Sequence, residues 1–110
     1  MENRTAIVLC GGRGSRLGNL GKRLPKTLVK VHYKPILWYV IKNLQKNKFN
    51  HLILPIGYKG QMIRDYIYRN RNEFSKLKID IVNTGIDTSI AMRIFKVKKY
   101  LKSQNFILLN

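Results

Sequence analysis

The sequence predicts a small α/β domain with a mainly parallel sheet, a Rossmann-like arrangement of three layers (α/β/α). Short apolar runs rich in β-branched residues alternate with longer segments of helical spacing, and no repeat or low-complexity linker interrupts them. The resulting order, β-α-β-α-β-α-β, predicts parallel strands joined by crossover helices. A length of 110 residues allows one modest core, and the 45% apolar content argues for folding over disorder.

The first half of the chain predicts a strand and a helix separated by a glycine-rich loop. Thr5 to Leu9 (TAIVL) is short, apolar and bounded by glycines, which is typical of a strand buried on both faces. Residues 28–31 predict a short extended piece after the loop. Pro35 suits a first helical turn, and apolar residues follow it at helical spacing, so we predict a helix from Pro35 to Lys46.

The second half continues the alternation and ends on a strand. The predicted strands are His51 to Ile56, Lys78 to Val82 and Phe106 to Leu109. Two helices are predicted between them, Gln61 to Arg69 and a later one whose apolar face is Ile90, Ile94, Val97 and Leu101. The sheet is therefore expected to stop after its fourth strand and to leave an open edge.

The charge balance favours anionic partners. The chain has 22 Lys and Arg against 5 Asp and Glu, a formal net charge of +17, which raises the local concentration of phosphates, nucleic acid or acidic membrane surfaces. No apolar run approaches the roughly 20 residues needed to span a bilayer, and the polar start does not look like a signal peptide. The single cysteine, Cys10, excludes an internal disulfide and fits a reducing compartment. We expect a cytoplasmic protein without a membrane partner.

The loop CGGRGSRLGNLGKRLPK, residues 10–26, concentrates glycine and positive charge without a carboxylate. It follows the first strand, and ligands of parallel α/β sheets bind at the carboxyl ends of strands. It is not a P-loop, because Gly21-Lys22 is followed by Arg23 where Ser or Thr is required. It is not a dinucleotide fingerprint either, because Leu17 stands at the third glycine position.

The remaining pattern is G-G-x-G-S-R-L followed by Pro25-Lys26, and it resembles the N-terminal signature of the sugar-1-phosphate nucleotidylyltransferases. The similarity continues through LVKVHYKPILWYVIKNL (28–44), GYKG (57–60) and IDIVNTGIDTSIAMRI (79–94). GYKG and the segment that contains NTG look most like the branch of the family that includes glucose-1-phosphate cytidylyltransferase. The resemblance covers nearly the whole chain.

The resemblance implies transfer of a nucleotidyl group from a nucleoside triphosphate (NTP) to a sugar 1-phosphate, giving an NDP-sugar and pyrophosphate. CTP and a hexose 1-phosphate are favoured. Such a reaction depends on positioning and on neutralising phosphate charge, so Arg16 is expected to clamp the triphosphate and Lys26 to act near the attacked phosphorus. The implied nucleotide-binding set is Leu9, Cys10, Gly11, Gly12, Gly14, Ser15, Arg16, Thr84, Gly85 and Arg93.

The resemblance also implies what the chain lacks. Residues 1–110 are expected to be the N-terminal, nucleotide-binding part of a longer transferase, without its sugar-binding half and inactive alone. Mg²⁺ is the expected cofactor, held by carboxylates beyond Asn110, so no metal ligand is assigned here. Ala91 and Met92 replace two glycines of the cytidylyltransferase branch, which leaves the nucleobase undetermined.

Other interpretations remain open at this stage. A basic nucleic-acid-binding domain would use the net charge and interleaved tyrosines, but the charges are spread along the chain and no recognised motif is present. A catalytically inactive nucleotide-binding fragment is the third interpretation, and the sequence leaves homo-oligomer formation undecided. For individual residues, Cys10 fits a packed thiol, His32 and His51 fit surface or satisfied histidines, and Trp38 and Tyr39 fit helix packing.

Overall fold

A computed structural model describes residues 4–10, 24–86, 88–101 and 106–109. Its main sheet contains four strands: β1 (Thr5–Val8), β4 (His51–Ile56), β5 (Lys78–Asn83) and β6 (Phe106–Leu109). A short hairpin is formed by β2 (Lys30–Val31) and β3 (Lys34–Pro35). The helices are α1 (Ile36–Lys46), α2 (Gly60–Arg69) and α3 (Ile90–Val97). Short 3₁₀ turns cover Lys26–Leu28 and Lys98–Tyr100.

The main sheet is parallel throughout, in the order β5-β4-β1-β6. Thr5 pairs with both His51 and Phe106, so β1 lies between the second and the last strand of the sheet in chain order. The residues of β1 and β4 are all buried, as a strand covered on both faces requires. The predicted parallel α/β fold is confirmed.

Helices cover both faces of the sheet, because side chains alternate between its faces along each strand. Ala6 and Val8 point into the larger core, which also contains Leu37 and Ile41 of α1 and Ile63 of α2. Ile7 and Ile53 point the other way and pack with Val97 of α3. The molecule therefore has three layers, with α1 and α2 on one face and α3 on the other.

The last strand lies at one end of the sheet and is little covered. Three of its apolar side chains are more than a third exposed, Phe106 at 37%, Ile107 at 41% and Leu108 at 42%. This agrees with the open edge expected from the sequence. Among the described residues, no helix is long and apolar enough to cross a bilayer.

Two predicted boundaries are wrong. Pro35 belongs to β3 and caps α1 in extended conformation, since its ψ of 150° is not helical. Leu28 was predicted to be extended but ends a 3₁₀ turn, which begins directly after Pro25. Trp38 does pack against the larger core from α1, as the helix-packing interpretation expects.

The predicted apolar face of the last helix is also wrong at its start. Ile90 is 50% exposed, whereas Arg93 and Val97 are the buried residues of α3. The later part of the predicted stripe is confirmed, since Val97 is buried and Leu101 packs against its cluster. The side chain of Arg93 points toward the loop before the helix and donates hydrogen bonds to acceptors there. The apolar side chain of Ile90 cannot donate such bonds.

Lys48 follows α1 in the left-handed region, with φ of +67°. This is the position after a helix that glycine commonly occupies, because a Cβ is strained there. We expect Lys48→Gly to raise the free energy of unfolding by about 0.5–1 kcal/mol. Urea denaturation would measure the change. A lower unfolding midpoint in Lys48→Gly would contradict the expected relief of strain.

Candidate functional site

The carboxyl ends of β1 and β5 bring four of the predicted site residues to one edge of the sheet. Leu9 and Cys10 follow β1, where Leu9 N donates to Leu109 O at 2.9 Å and Cys10 N donates to Pro55 O at 3.2 Å. Thr84 and Gly85 follow β5, and Thr84 N donates to Ile56 O at 2.8 Å. This edge is where a parallel α/β sheet binds its ligands.

Glycines allow two of these strand ends to approach closely. A Cβ added at Gly57, just after β4, would collide with the carbonyl oxygen of Gly85. Gly85 itself has φ of +97°, a conformation that favours glycine, and its N–H donates to Asn83 Oδ1 at 3.0 Å. The first residue of the GYKG segment must therefore be glycine, because Gly57 packs against the loop after β5.

Arg93 holds residues 84–86 and 88, in the loop after β5, from inside the protein. Its side chain is only 5% exposed, and its guanidinium donates to three groups of this loop. Nε lies 3.0 Å from Thr88 O, Nη1 lies 2.9 Å from Thr84 Oγ1, and Nη2 lies 2.9 Å from Ile86 O. A buried guanidinium is stable only when such hydrogen bonds replace its hydration. Its predicted contact with a nucleotide stays a prediction.

Thr84 connects β4, β5 and α3 and is 1% exposed. Its hydroxyl donates to Ile56 O at 3.2 Å while accepting from Arg93, and its carbonyl accepts from Lys96 Nζ at 3.0 Å. The same carbonyl accepts from the Thr88 hydroxyl at 2.5 Å. The side chain of Thr84 therefore stabilises the conformation of the loop. Its predicted role in nucleotide binding stays a prediction.

Thr88, Ser89 and Lys96 support the site but were not predicted. Ser89 caps α3, because its Oγ accepts from Met92 N at 3.1 Å. A Thr-Ser pair directly before an apolar helical stretch is a usual capping signal, so this residue could have been found from the sequence. The contact between Lys96 and Thr84 joins residues 12 apart and gives no local signal.

Lys26 lies next to the carboxyl end of β1. It begins the 3₁₀ turn after Pro25 with an exposed side chain, whereas Thr27 and Leu28 are buried. The Thr27 hydroxyl lies close enough to the Cys10 thiol to influence its pKa, which places the turn near the end of the first strand. The remaining predicted site residues lie outside the described part of the chain: Gly11, Gly12, Gly14, Ser15 and Arg16.

Cys10 is a packed thiol, as one interpretation of the sequence expected. It is 3% exposed, and burial raises the pKa of the Cys10 thiol to about 12, with the Thr27 hydroxyl acting in the opposite direction. A thiol with so high a pKa is a poor nucleophile at neutral pH. Cys10 can therefore contribute to a ligand site through its backbone and its packing, but not through thiolate chemistry.

The buried thiol predicts a loss of stability in alkaline solution. Folding raises the pKa of Cys10 from 9.0 to about 12, so above pH 9 the unfolded chain releases a proton that the native chain keeps. The stabilisation is complete below pH 9 and is lost as the pH rises toward 12. Tyr66 acts in the same direction, since burial, aided by Glu73, raises its pKa from 10.0 to about 12.

Two measurements check this prediction. A thiol reagent at pH 8 should label Cys10 much more slowly in the native protein than in urea. The urea midpoint should fall between pH 9 and pH 11, and less steeply in Cys10→Ala. Equal labelling rates in the folded and unfolded chain would contradict the burial of the thiol.

His51 is a satisfied histidine near the opposite, amino edge of the sheet, again as expected. It is 3% exposed, with Nε2 2.6 Å from Asp80 Oδ2 and Nδ1 3.4 Å from Thr5 Oγ1. Asp65 instead accepts from Gln61 on α2. Within the described ranges no group of three His, Cys, Asp or Glu side chains could hold a metal ion. These residues do not fit a Mg²⁺ site, and no catalytic step is assigned to Mg²⁺ here.

A parallel sheet with glycines at its carboxyl edge is typical of α/β domains that bind nucleotides. Residues 5–110 match the family model described as nucleotidyl transferase. The chain belongs to this family.

The similar proteins include sugar-1-phosphate nucleotidyltransferases. A probable glucose-1-phosphate cytidylyltransferase from Bacillus subtilis is 33% identical, with 94% of this chain and 48% of that protein covered. A D-glycero-alpha-D-manno-heptose 1-phosphate guanylyltransferase from Campylobacter jejuni is 31% identical, with 94% and 45% covered. The chain therefore spans about half the length of the curated relatives it matches.

Solved structures show the same fold. HddC from Yersinia pseudotuberculosis, complexed with GMP-PN, has a TM-score of 0.81 at 25% identity, with 97% of this chain and 47% of that one covered. A UDP-glucose pyrophosphorylase complexed with UDP-glucose also has a TM-score of 0.81, with 97% and 45% covered. At 15% identity, that second similarity bears on the fold alone.

Proposed function

We propose that residues 1–110 form the nucleotide-binding part of an enzyme that transfers a nucleotidyl group from an NTP to a sugar 1-phosphate. The observation that carries the proposal is the convergence of Leu9, Cys10, Thr84 and Gly85 at the carboxyl edge of the sheet, beside the turn that bears Lys26. The other half of such an enzyme would supply most of the sugar pocket.

The proposed chemistry needs positive charge and close backbone approach. A sugar-phosphate oxygen attacks the α-phosphorus of the NTP, and pyrophosphate leaves with the electrons of the broken P–O bond. Catalysis of this kind comes from positioning and from stabilising charge on the phosphates. In the proposal, Gly11, Gly12 and Gly14 let the backbone approach the phosphates, and Ser15 lies in the same loop.

Arg16 and Lys26 have different proposed roles. A guanidinium pairs with two phosphate oxygens at once, which suits Arg16 to the triphosphate. Lys26 carries a compact charge on a flexible stem and is proposed to neutralise the α-phosphate and the attacking sugar phosphate. The exposed position of Lys26, in a turn whose next residue, Thr27, lies near Cys10, supports this role.

Residues 84–86 and 88, in the loop after β5, are proposed to line the nucleotide site through their backbone. Arg93 and Thr84 would act mainly by holding this loop, since their side chains are buried and hydrogen-bonded to each other. Ala91 and Met92, which replace two glycines of the cytidylyltransferase branch, lie in the first turn of α3 and are exposed. They can therefore influence the choice of base.

CTP and a hexose 1-phosphate are the proposed substrates. The name of the 33% identical protein from Bacillus subtilis supports cytidylyl transfer to glucose 1-phosphate. The guanylyltransferase from Campylobacter jejuni is almost as similar, at 31% identity, so GTP is the main competitor. The base must be decided by measurement.

Isothermal titration of the chain with CTP, GTP, UTP and dTTP tests the proposal. Each titration is made with and without Mg²⁺ and at two salt concentrations. We expect saturable binding with preference for one base. Weak binding that ignores the base and falls steeply with salt would contradict the proposal, because phosphate attraction alone gives that behaviour and would favour a nucleic-acid-binding domain.

A further inference from the structure

A cavity lies between the β2–β3 hairpin and α2, and Leu24 and Leu28, on either side of Lys26, also line it. It has a volume of about 680 Å³, and Lys30, Tyr33 and Lys34 of the hairpin face Asp65, Tyr66 and Arg69 of α2 across it. Of the predicted nucleotide-site residues that the structure describes, none lines this cavity. Its described lining thus differs from that of the site proposed above.

The charges around this cavity are mainly positive. Lys30 and Lys34 approach from the hairpin and Arg69 from the last turn of α2, against the single carboxylate of Asp65. Asp65 accepts a hydrogen bond from Gln61 Nε2 at 2.9 Å, so part of its acceptor capacity is already used. Three cations around one concave surface attract an anion. Phosphate is a common biological anion that binds to arginine and lysine side chains.

The hairpin turn places the ring of Tyr33 at the rim of the cavity, and its backbone is strained there. His32 and Tyr33 have φ of +50° and +73°, although neither is glycine. Tyr33 is 92% exposed, so burial of its ring does not offset this strain. The Tyr39 hydroxyl donates to Val31 O at 2.7 Å and holds the turn in place. Strained residues kept in this way often serve a ligand.

We propose that this cavity binds a phosphate-bearing ring compound, either a nucleotide or a sugar phosphate. Lys30, Lys34 and Arg69 bind the phosphate, and the exposed face of Tyr33 stacks on the ring. Aromatic side chains stack on bases through their π-faces, and the apolar face of a sugar ring packs in a similar way. The Tyr66 phenol, whose pKa burial raises to about 12, remains protonated and can donate a hydrogen bond at physiological pH.

The single tryptophan of the chain reports on this cavity. Trp38 lies under the ammonium of Lys34, with Nζ 5.4 Å from the centre of its ring. A phosphate that draws Lys34 toward the cavity should change the fluorescence of Trp38. The chain is titrated with inorganic phosphate, glucose 6-phosphate and CMP while this fluorescence is recorded.

Stacking predicts that at least one of the two ring compounds binds about tenfold more tightly than inorganic phosphate. Whichever of glucose 6-phosphate and CMP binds more tightly shows whether the cavity prefers a sugar phosphate or a nucleotide. Arg69→Glu should weaken binding of that compound by about tenfold or more, because it replaces an attractive charge with a repulsive one. Equal binding of inorganic phosphate and both ring compounds would overturn the proposal, as would binding unchanged in Arg69→Glu.

Tyr33→Gly and Lys48→Gly separate strain from ligand binding. Both replace a residue of positive φ by glycine, so both should raise the urea midpoint. Only Tyr33→Gly should reduce the affinity for the ring compound to that of inorganic phosphate. Unchanged affinity in Tyr33→Gly would overturn the stacking role. Lys26→Ala should leave this binding intact, so failure here is distinguishable from failure of the nucleotide site.

Discussion

Replacing Arg93 by alanine is expected to lower the free energy of unfolding by about 2–4 kcal/mol. The guanidinium is buried and donates to Thr84 Oγ1, Ile86 O and Thr88 O. Alanine leaves these acceptors of the loop without their donor and opens a cavity beneath them. Urea denaturation measures the change as a lower midpoint at constant slope.

Two further variants make this prediction specific. Arg93→Lys keeps the positive charge but cannot make the same planar set of hydrogen bonds, so we expect an intermediate loss of stability. Lys98→Ala removes an exposed cation just after α3 and should change the free energy of unfolding by less than about 0.5 kcal/mol. A loss in Arg93→Ala no larger than in Lys98→Ala would show that the loop does not depend on the guanidinium.

Replacing Lys26 by alanine is expected to weaken nucleotide binding by about tenfold to a hundredfold. In the proposed site its ammonium neutralises phosphate charge at the end of β1, and no buried contact of the side chain is lost because Lys26 is exposed. Arg16→Ala should have a similar effect through loss of a bidentate phosphate contact. Isothermal titration with the preferred NTP measures both variants.

Lys46→Ala is the matched control for these variants. Lys46 is also exposed, but it ends α1 just before β4 begins, at the amino edge of the sheet. Removing it lowers the net charge by the same amount without touching the proposed site. If Lys46→Ala and Lys26→Ala weakened binding equally, the effect would come from the overall charge and not from a nucleotide site.

Local patterns were enough to predict most of the fold. The bounds of β4 and β6 agree with the predicted strands, His51 to Ile56 and Phe106 to Leu109, because each is a compact apolar run. Parallel pairing followed from the alternation of strands and helices, and it placed Leu9 and Thr84 at the same edge of the sheet. The edge of the candidate site was therefore accessible to sequence reasoning.

Contacts between distant segments could not be predicted in this way. The burial of Arg93 depends on acceptors in a loop that the sequence does not specify, so the apolar stripe suggested Ile90 instead. The need for glycine at Gly57 depends equally on the carbonyl of Gly85, which comes near it only after β4 and β5 pair. Such requirements are set by packing, which periodicity does not encode.

The most direct test of a nucleotide site at the carboxyl edge is to follow amide NMR signals of the chain during titration with CTP. We expect saturable shifts concentrated at Leu9, Cys10, Thr84 and Gly85, all with one dissociation constant, and their loss in Lys26→Ala. Small shifts spread over the lysine-rich surface, with none concentrated at this edge, would show that the chain has no nucleotide site there.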